Sequence, residues 1–489
     1  MEEKAIMRVC EELEPKKVFA YFEDISQIPH GSRNTKAVSD YCVEFAKAHG
    51  LTYMQDEENN VIIFKDASAG YENSEPVIIQ GHLDMVCEKE DGVAIDFEKD
   101  GLKLYIDGDF LKAEGTTLGG DDGIAVAYAL AILDDDTLEH PPLEVVFTVD
   151  EEIGMLGAES MDLSMLKGRK LLNIDSEEEG IFLASCAGGL QAVCEIPVSR
   201  VDAQGISYEI KVTGLQGGHS GAEIDKERGN AVWLLGRVLQ VLGEKHSFAI
   251  AHMEGGLKDN AIPRDALAVI LVESEAAGEE LCDGLGALEQ ELKKEFQTSD
   301  PGITVSCRKL DSGNKSVLHG SAASKVLFFL RMMPNGIQNM SMDIEGLVET
   351  SLNAGIMKLT EEMFSVCFAV RSSVTSRKME VADRLSFLTE FLGGEISLNG
   401  DYPAWEYKAD SAMRELMAET YRDLFGEEAK IEAIHAGLEC GLFSGKIPGL
   451  DCISFGPNMY DIHTPKERLS ISSAQRTWKL IVEFLKRLK

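Results

Sequence analysis

Apolar runs of strand length alternate with amphipathic stretches of helix length in the first 180 residues. Four apolar runs predict strands, at 60–66, 76–86, 143–154 and 170–178, and the first two are also β-branched. The intervening patterns predict two helices within 15–50 and a third from about Gly123 through Leu133. This order is typical of an α/β domain with a largely parallel central sheet flanked by helices.

The pattern changes near residue 186. Residues 206–214 alternate with period two, which predicts a half-exposed antiparallel strand. Helices and strands then follow in α+β order to about residue 400, and the α/β pattern returns after Asp401. We therefore predict an α/β domain formed by 1–186 and 402–489. An inserted α+β domain at 187–401, whose element order suggests a doubled α+β unit, interrupts it.

Charge and hydropathy exclude several classes of protein. The 489 residues include 47 Lys and Arg against 84 Asp and Glu, a net charge of −37. Nucleic acids and anionic membranes need basic clusters, so we expect neither as a partner. The first residues are charged and contain no apolar segment of a signal peptide, and the apolar stretch 124–133 is too short to span a bilayer. These features predict a cytoplasmic protein.

The ten cysteines occur singly, without a CxxC pair. In a chain of this length such spacing argues against a disulfide framework. We predict reduced, mostly buried thiols.

Histidine and carboxylate side chains follow the predicted strands. In "GHLDMV", His82 and Asp84 are two apart and can share one face, so that one binds a metal while the other orients it. In "TTLGGDDGIA", the glycines permit a tight turn that presents Asp121 or Asp122. Each motif also has an ordinary interpretation, since HxD is common and a Gly-Asp turn can cap a helix.

Further acids end the next two strands. Glu151 and Glu152 follow a buried strand and point in different directions, which suits one ligand and one base. In "NIDSEEEG", Asp175 is either a ligand or part of a solvated acidic turn, and we interpret Glu177, Glu178 and Glu179 as solvated. With His463 from "DIHTPKE", these residues form a donor set suited to zinc, manganese or cobalt.

The order of these motifs resembles a di-zinc metallopeptidase family that includes dipeptidases, tripeptidases, carboxypeptidases and amino-acid deacylases. The similar segments are GHLDMV, GGDDG, DEE, NID, GGHSG, NAIPR and a late SFGP followed by a histidine. "IPHGSRNTK", "HAGLECG" and the long insertion point to the aminoacyl-histidine dipeptidase branch. The resemblance extends from about residue 18 to the end and is looser in 275–345.

The resemblance implies a role for each matching residue. His82 and Asp175 would hold one metal, Glu152 and His463 would hold the other, and Asp121 would bridge the two. The peptide bond between Asp121 and Asp122 would be cis. Glu151 would be the general base, with Asp84 behind His82. In the inserted domain, His219 would stabilise the oxyanion, while Asn260 and Arg371 would bind the substrate's terminal carboxylate. Gly437 would line the substrate cleft, and His435 and Glu439 are further candidates for substrate contact.

The activity implied is hydrolysis of unblocked dipeptides, preferentially Xaa-His including β-Ala-His, by a metal-bridging water that Glu151 activates. Two divalent ions are expected, zinc first, with manganese or cobalt as alternatives. A tripeptidase or an N-acyl amino-acid deacylase of the same family is the second interpretation. The third interpretation is a non-catalytic protein that binds metal or peptide. Such a protein would not need Glu151 or the bridging Asp121, and the presence of both argues against it. The partner would be a small peptide. Two arrangements are open. In one, the protein forms a homodimer through the inserted domain, and the His219 of one subunit acts in the other. In the second, one chain supplies His219 to its own site.

Overall fold

The computed structural model describes residues 8–489, which divide into two compact units. The first comprises the described residues up to Ser185 together with Tyr407–Ala433 and Leu438–Lys489. The second comprises Cys186–Glu406 and Ile434–Gly437. Each unit has its own hydrophobic core.

Helices and strands are numbered along the whole chain. The helices are α1 (Lys16–Ser26), α2 (Lys36–Ala48), α3 (Gly120–Leu133), α4 (Leu156–Ser160), α5 (Ala231–Gly243), α6 (Glu275–Glu295), α7 (Gly320–Met332), α8 (Thr375–Phe391), α9 (Ala412–Phe425), α10 (Glu439–Lys446) and α11 (Ile471–Arg487). The strands are β1 (Thr52–Gln55), β2 (Val61–Lys65), β3 (Val77–His82), β4 (Leu104–Asp107), β5 (Phe110–Ala113), β6 (Leu143–Thr148), β7 (Lys170–Asn173), β8 (Ile181–Cys186), β9 (Gly188–Pro197), β10 (Arg200–Thr213), β11 (Ala249–Gly255), β12 (Ala266–Val272), β13 (Thr304–Leu318), β14 (Gly336–Met340), β15 (Val348–Leu359), β16 (Met363–Ser372), β17 (Glu395–Tyr402), β18 (Lys430–Ile434), β19 (Asp451–Ser454), β20 (Met459–Tyr460) and β21 (Arg468–Ser470).

The main sheet of the first unit has the order β1-β2-β6-β3-β7-β19-β8-β18. Its four central strands, β6, β3, β7 and β19, are parallel. The pairs β1–β2, β2–β6 and β19–β8 are antiparallel. The α/β class is thus confirmed, and the parallel arrangement is confined to the centre. Strands β3 and β6 are buried along their whole length, as strands covered on both faces should be.

Helix α3 is buried at every position. A helix that is apolar on all sides belongs in a protein core, and the Ala, Val, Ile and Leu side chains of 124–133 meet that requirement. Among the described residues, no helix is long and apolar enough to cross a membrane.

The second unit contains one large sheet with the order β13-β10-β12-β11-β15-β16-β9-β17, in which β14 also pairs with β15. The sheet consists of two halves with the same βαββαβ order. One half is β10-α5-β11-β12-α6-β13, and the other is β9-α7-β15-β16-α8-β17, with the first half inserted after β9. The halves join where Glu254 and Gly255 of β11 pair with Lys358 and Met357 of β15.

The unit boundaries differ from the prediction at three places, since Cys186, residues 402–406 and residues 434–437 all lie in the second unit. Residues 434–437 were assigned to the first domain, which is wrong because the Ala187 N–H donates to the carbonyls of Ile434 and Ala436. Residues 402–406 likewise belong to the second unit, because Tyr402 pairs with Gly189 in the large sheet.

The prediction that all thiols are reduced is wrong for one pair. Cys282 on α6 and Cys307 on β13 form a disulfide, with Cα atoms 5.4 Å apart. Helix α6 packs on β13, and this packing brings together two cysteines that are 25 residues apart in sequence. Six of the other eight cysteines are buried.

Candidate active site

Three neighbouring parallel strands end at the same edge of the main sheet and deliver the acidic and histidine residues. Strand β3 ends at His82, which pairs with Thr148 at the end of β6. Gln80 of β3 pairs with Asn173 at the end of β7. Glu151 and Glu152 follow β6, and Asp175 follows β7. These residues therefore meet at the carboxyl edge, where open α/β sheets bind ligands.

Asp121 lies between two histidines. Its Oδ1 is 3.1 Å from Nε2 of His82, and its Oδ2 is 3.1 Å from Nε2 of His463. Asp175 approaches the same His82 nitrogen at 3.6 Å, and Glu152 approaches the same His463 nitrogen at 3.0 Å. The two oxygens of one carboxylate thus face two separate pairs, His82 with Asp175 and His463 with Glu152. The peptide between Asp121 and Asp122 is cis.

Asp84 connects strand β3 to the turn after β6. Its carboxylate accepts N–H bonds from Glu151 at 3.0 Å and Glu152 at 3.3 Å, and a hydroxyl bond from Ser32 at 2.8 Å. Nδ1 of His82 lies 3.0 Å from the Asp84 carbonyl oxygen, to which its N–H donates. This bond fixes the ring so that Nε2 faces Asp121 and Asp175.

Glu467 is a residue whose role the sequence analysis missed. Its buried carboxylate accepts the backbone N–H groups of four successive residues, Leu118, Gly119, Gly120 and Asp121, at 2.6–3.3 Å. Gly119 has a φ of +67°, which favours glycine. Glu467 therefore holds the turn that presents Asp121. The only signal in the sequence is its position four residues after His463.

The buried carboxylates of this cluster depend on nearby positive charge for their stability. Burial disfavours the charged form of Asp121, but hydrogen bonds from His463 and His82 hold its pKa well below the usual range. Hydrogen bonds to Asp121 and Glu152 raise the pKa of His463 to about 10. Burial raises the pKa of Glu151 well above its ordinary value, and the charges of Asp175, Glu439 and Glu152 add to the effect.

The donor set fits divalent metal ions. Among the described residues, the ion pairs of Asp121, Asp175 and Glu152 are made with His82 or His463 and with no lysine or arginine. Their side chains are at most 10% exposed. Two overlapping groups could hold an ion, His82 with Asp121 and Glu152, and His82 with Asp122 and Asp175. Asp122 also accepts the His82 N–H and has one buried oxygen without a partner, so extra cationic charge would stabilise it.

The acidic stretch after Asp175 is only partly solvated. Glu178 is exposed, as predicted. The interpretation of Glu177 and Glu179 as solvated is wrong, because both are half-buried. Burial raises the pKa of Glu177 to about 7, and Glu179 forms an ion pair with Arg476. Their backbone lies beside the first unit's second sheet, β20-β21-β5-β4, since the Met459 N–H donates to the Glu177 carbonyl.

The second unit brings together three other predicted residues. The Ser220 N–H donates to the Asn260 carbonyl at 2.9 Å, so the His219 loop and the Asn260 loop are joined. A Cβ on Gly221 would lie 3.0 Å from Cε1 of His219 and 3.1 Å from Nε of Arg371, which places both side chains beside this glycine. His219 and Asn260 belong to one βαββαβ half and Arg371 on β16 to the other.

The hydrogen bonds of His219 determine its tautomer. Nδ1 accepts the N–H groups of Gly221 at 3.2 Å and Ala222 at 3.0 Å. Burial and the nearby Arg371 charge lower the pKa of His219, so the neutral ring is favoured. The ring proton then resides on Nε2, which can donate.

The "HAGLECG" segment is divided between the units. His435 and Gly437 lie in the second unit, where the buried His435 is hydrogen-bonded to Ser351 at 2.7 Å through Nε2. Glu439 lies in the first unit and is fully buried. It accepts hydrogen bonds from Thr148 and Gln80, so its contacts are with the ends of β6 and β3.

An α/β unit that carries two histidines and several carboxylates at the edge of its sheet has the donor set of a metal-dependent hydrolase. The chain belongs to peptidase family M20/M25/M40, whose model matches residues 78–487. It is therefore an enzyme of a metallopeptidase family, and the resemblance found in the sequence is confirmed.

Two relatives cover nearly the whole chain. One is a cytosol non-specific dipeptidase of Escherichia coli, 37% identical over 486 residues, with 99% of both chains covered. The other is the crystal structure of an aminoacylhistidine dipeptidase from Vibrio alginolyticus, 35% identical, with 98% and 97% of the two chains covered and a TM-score of 0.91. A tripeptidase structure from Staphylococcus aureus, 16% identical with a TM-score of 0.53 and 97% and 99% covered, shares the fold alone.

The geometry predicts opposite results for two acids in one stretch. Asp175→Asn should lower the affinity for a divalent ion by about 10-fold or more, because it would remove a buried carboxylate charge beside His82. Glu178→Gln removes the same charge from an exposed position and should leave the affinity unchanged. Calorimetric titration of the chelator-treated protein with zinc or manganese measures both. Equal affinities in the two variants would contradict the assignment of Asp175.

Proposed function

We propose that this enzyme is a dipeptidase that holds two divalent metal ions, zinc first, and prefers unblocked dipeptides ending in histidine. The observation that carries the proposal is the Asp121 carboxylate, whose two oxygens face two separate histidine–carboxylate pairs at the edge of the sheet. His82 and Asp175 would hold one ion, His463 and Glu152 the other, and Asp121 both. When bound, a pair of divalent ions polarises the scissile carbonyl and lowers the pKa of water between them.

Glu151 has the properties of a general base. It adjoins the ligand Glu152 without taking part in the ion pairs of the cluster, and the Asp84 carboxylate fixes its backbone. We assign to it the proton of the attacking water, which it would pass to the leaving amine.

His219 supplies the complementary donor. Its Nε2–H would stabilise the oxyanion that forms as the water attacks. The Arg371 guanidinium and Asn260 would bind the terminal carboxylate of the peptide, for which a fork of N–H donors is suited. Because both halves of the second unit belong to one chain, His219 and Arg371 come together without a second subunit. A homodimer through this unit stays a prediction.

Support for the substrate class comes from the two full-length relatives, both named as dipeptidases. Their names differ on specificity, one being non-specific and the other acting on aminoacylhistidines. A tripeptidase or an N-acyl amino-acid deacylase is the alternative within the family. The E. coli relative's name also supports our proposal of a cytoplasmic location.

A substrate panel tests the class and the specificity together. The metal-depleted enzyme should be inactive and should recover with zinc or manganese. It should then cleave β-Ala-His and Gly-His faster than Leu-Gly, and leave Ala-Ala-Ala and N-acetyl-methionine intact. Chromatographic product analysis measures each rate. Preferred cleavage of the tripeptide or the acetylated amino acid would contradict the dipeptidase assignment.

Removal of the proposed base should separate catalysis from metal binding. Glu151→Gln should lower kcat by roughly 10²- to 10⁴-fold, the usual contribution of a general base. Its metal content, measured by plasma mass spectrometry, should equal that of the unmutated enzyme, since Glu151 is not a proposed ligand. Glu178→Gln is the matched control and should keep full activity. An unchanged kcat in Glu151→Gln would exclude the role.

Removal of the proposed oxyanion donor should act on kcat. His219→Ala should lower kcat by about 10²- to 10³-fold with a smaller change in KM, because the hydrogen bond forms mainly in the transition state. His252→Ala, at an exposed histidine of β11, serves as the control. Steady-state kinetics on Gly-His decide the matter, and a change in KM alone would assign His219 to substrate binding instead.

A further inference from the structure

We propose that Asp259 selects the side chain of the substrate's C-terminal residue, favouring one that donates a hydrogen bond, as the imidazole of histidine does. The inference rests on the proposed dipeptidase function and names the residue responsible for its specificity. The structural basis is a cavity of about 270 Å³ in the second unit. Residues that line it include Gly189, Gln191, Asp259, Asn260, Arg371 and Tyr402.

Gly189 lines this cavity and leaves room for the side chain of Tyr402. It lies on β9 and pairs with Arg371 of β16 on one side and Tyr402 of β17 on the other. A Cβ at Gly189 would lie 2.5 Å from the Tyr402 hydroxyl oxygen, so only glycine lets the tyrosine lie across this strand. The two flanking side chains meet there, and the Arg371 guanidinium donates to the Tyr402 hydroxyl at 3.1 Å.

This contact positions Arg371 and leaves donors available. Only one of its terminal nitrogens is used by Tyr402, and its buried Nε has no partner among residues 8–489. A buried N–H without an acceptor is costly, so the site favours a ligand that brings one. The carboxylate of an amino acid meets this requirement.

Asp259 is held in a fixed orientation at the same cavity. Its Oδ1 accepts the Asn260 N–H at 2.9 Å, and its Oδ2 accepts from Nε2 of Gln191 at 2.7 Å. Its carbonyl oxygen accepts from Nδ2 of Asn353 at 2.9 Å, which fixes the backbone. No lysine, arginine or histidine in the described part of the chain forms an ion pair with it. Each carboxylate oxygen can accept a further hydrogen bond.

One cavity therefore presents a fixed cation and a fixed anion. A ligand that matches both has a carboxylate and, within the reach of the same cavity, a polar N–H group. The C-terminal histidine of a dipeptide has this composition, and its imidazole has an N–H in the neutral as well as the protonated form. An aliphatic side chain would displace water from Asp259 and offer no hydrogen bond in its place. A substrate with such a side chain would therefore bind more weakly.

The test compares two substrates in two charge-matched variants of the metal-loaded full-length enzyme. For Asp259→Asn, we expect the ratio of kcat/KM for Gly-His to that for Gly-Leu to fall at least 10-fold, the usual size of a charge-assisted hydrogen bond. Asp265→Asn removes a charge from an exposed position of the same β11–β12 connection and should leave the ratio unchanged. A ratio that stays constant in Asp259→Asn, whether or not both rates fall, would overturn the proposal.

A binding experiment separates this proposal from the dipeptidase assignment. Calorimetry should show that the unmutated enzyme binds L-histidine more tightly than L-leucine, and that Asp259→Asn loses the difference. If the enzyme cleaves dipeptides without preferring histidine, the role of Asp259 is refuted and the dipeptidase function stands. If the enzyme cleaves no dipeptide, the dipeptidase function fails, but binding of the two amino acids still tests the role of Asp259. A difference in affinity that depends on Asp259 supports this role, and equal affinities refute it.

Discussion

The concentration of buried negative charge at one edge of the main sheet is the constraint on which the catalytic unit depends. Asp121, Asp122, Asp175, Glu151 and Glu152 meet there, together with the histidines His82 and His463. Carboxylates in a protein interior repel one another and lose hydration, so such a cluster is stable only with compensating cations or hydrogen bonds. The first unit supplies backbone N–H donors from several directions, and divalent ions would supply the remaining charge.

The supporting hydrogen bonds show how the fold meets this constraint. Asp84 ties β3 to the turn after β6, and Glu467 ties the residues before α3 to the segment after His463. Both acids accept backbone N–H bonds, so each fixes a peptide segment that carries a proposed ligand. The positions of the clustered acids therefore depend on how these two backbone segments are held. Without Glu467, four successive N–H groups of the Asp121 turn would need other acceptors.

The sequence predicted the residues that follow apolar strands and missed those that depend on contacts between distant segments. Strands β3 and β6 have β-branched, apolar patterns, and β7 is a short apolar run with two leucines, so the positions of His82, Glu152 and Asp175 could be inferred from where these runs end. The short strands β4, β5, β20 and β21 contain two to four residues and carry no clear periodicity. The role of Glu467 and the Cys282–Cys307 disulfide depend on tertiary packing that no local spacing records. Glu177 and Glu179 were misinterpreted for the same reason, since neighbouring segments cover them.

In the second unit, the proposed substrate site arranges charge differently. The catalytic cluster concentrates one sign of charge, whereas the Arg371 cavity holds one cation and one anion apart by giving each its own neutral partner. Tyr402 orients the arginine and Gln191 orients the aspartate, so neither charge is neutralised by the other. Duplication of the βαββαβ half makes this arrangement available within one chain, because Asp259 and Asn260 come from one half and Gly189, Arg371 and Tyr402 from the other. Under the proposed function, selectivity could then change through Asp259, while the proposed metal ligands on the other unit remain the same.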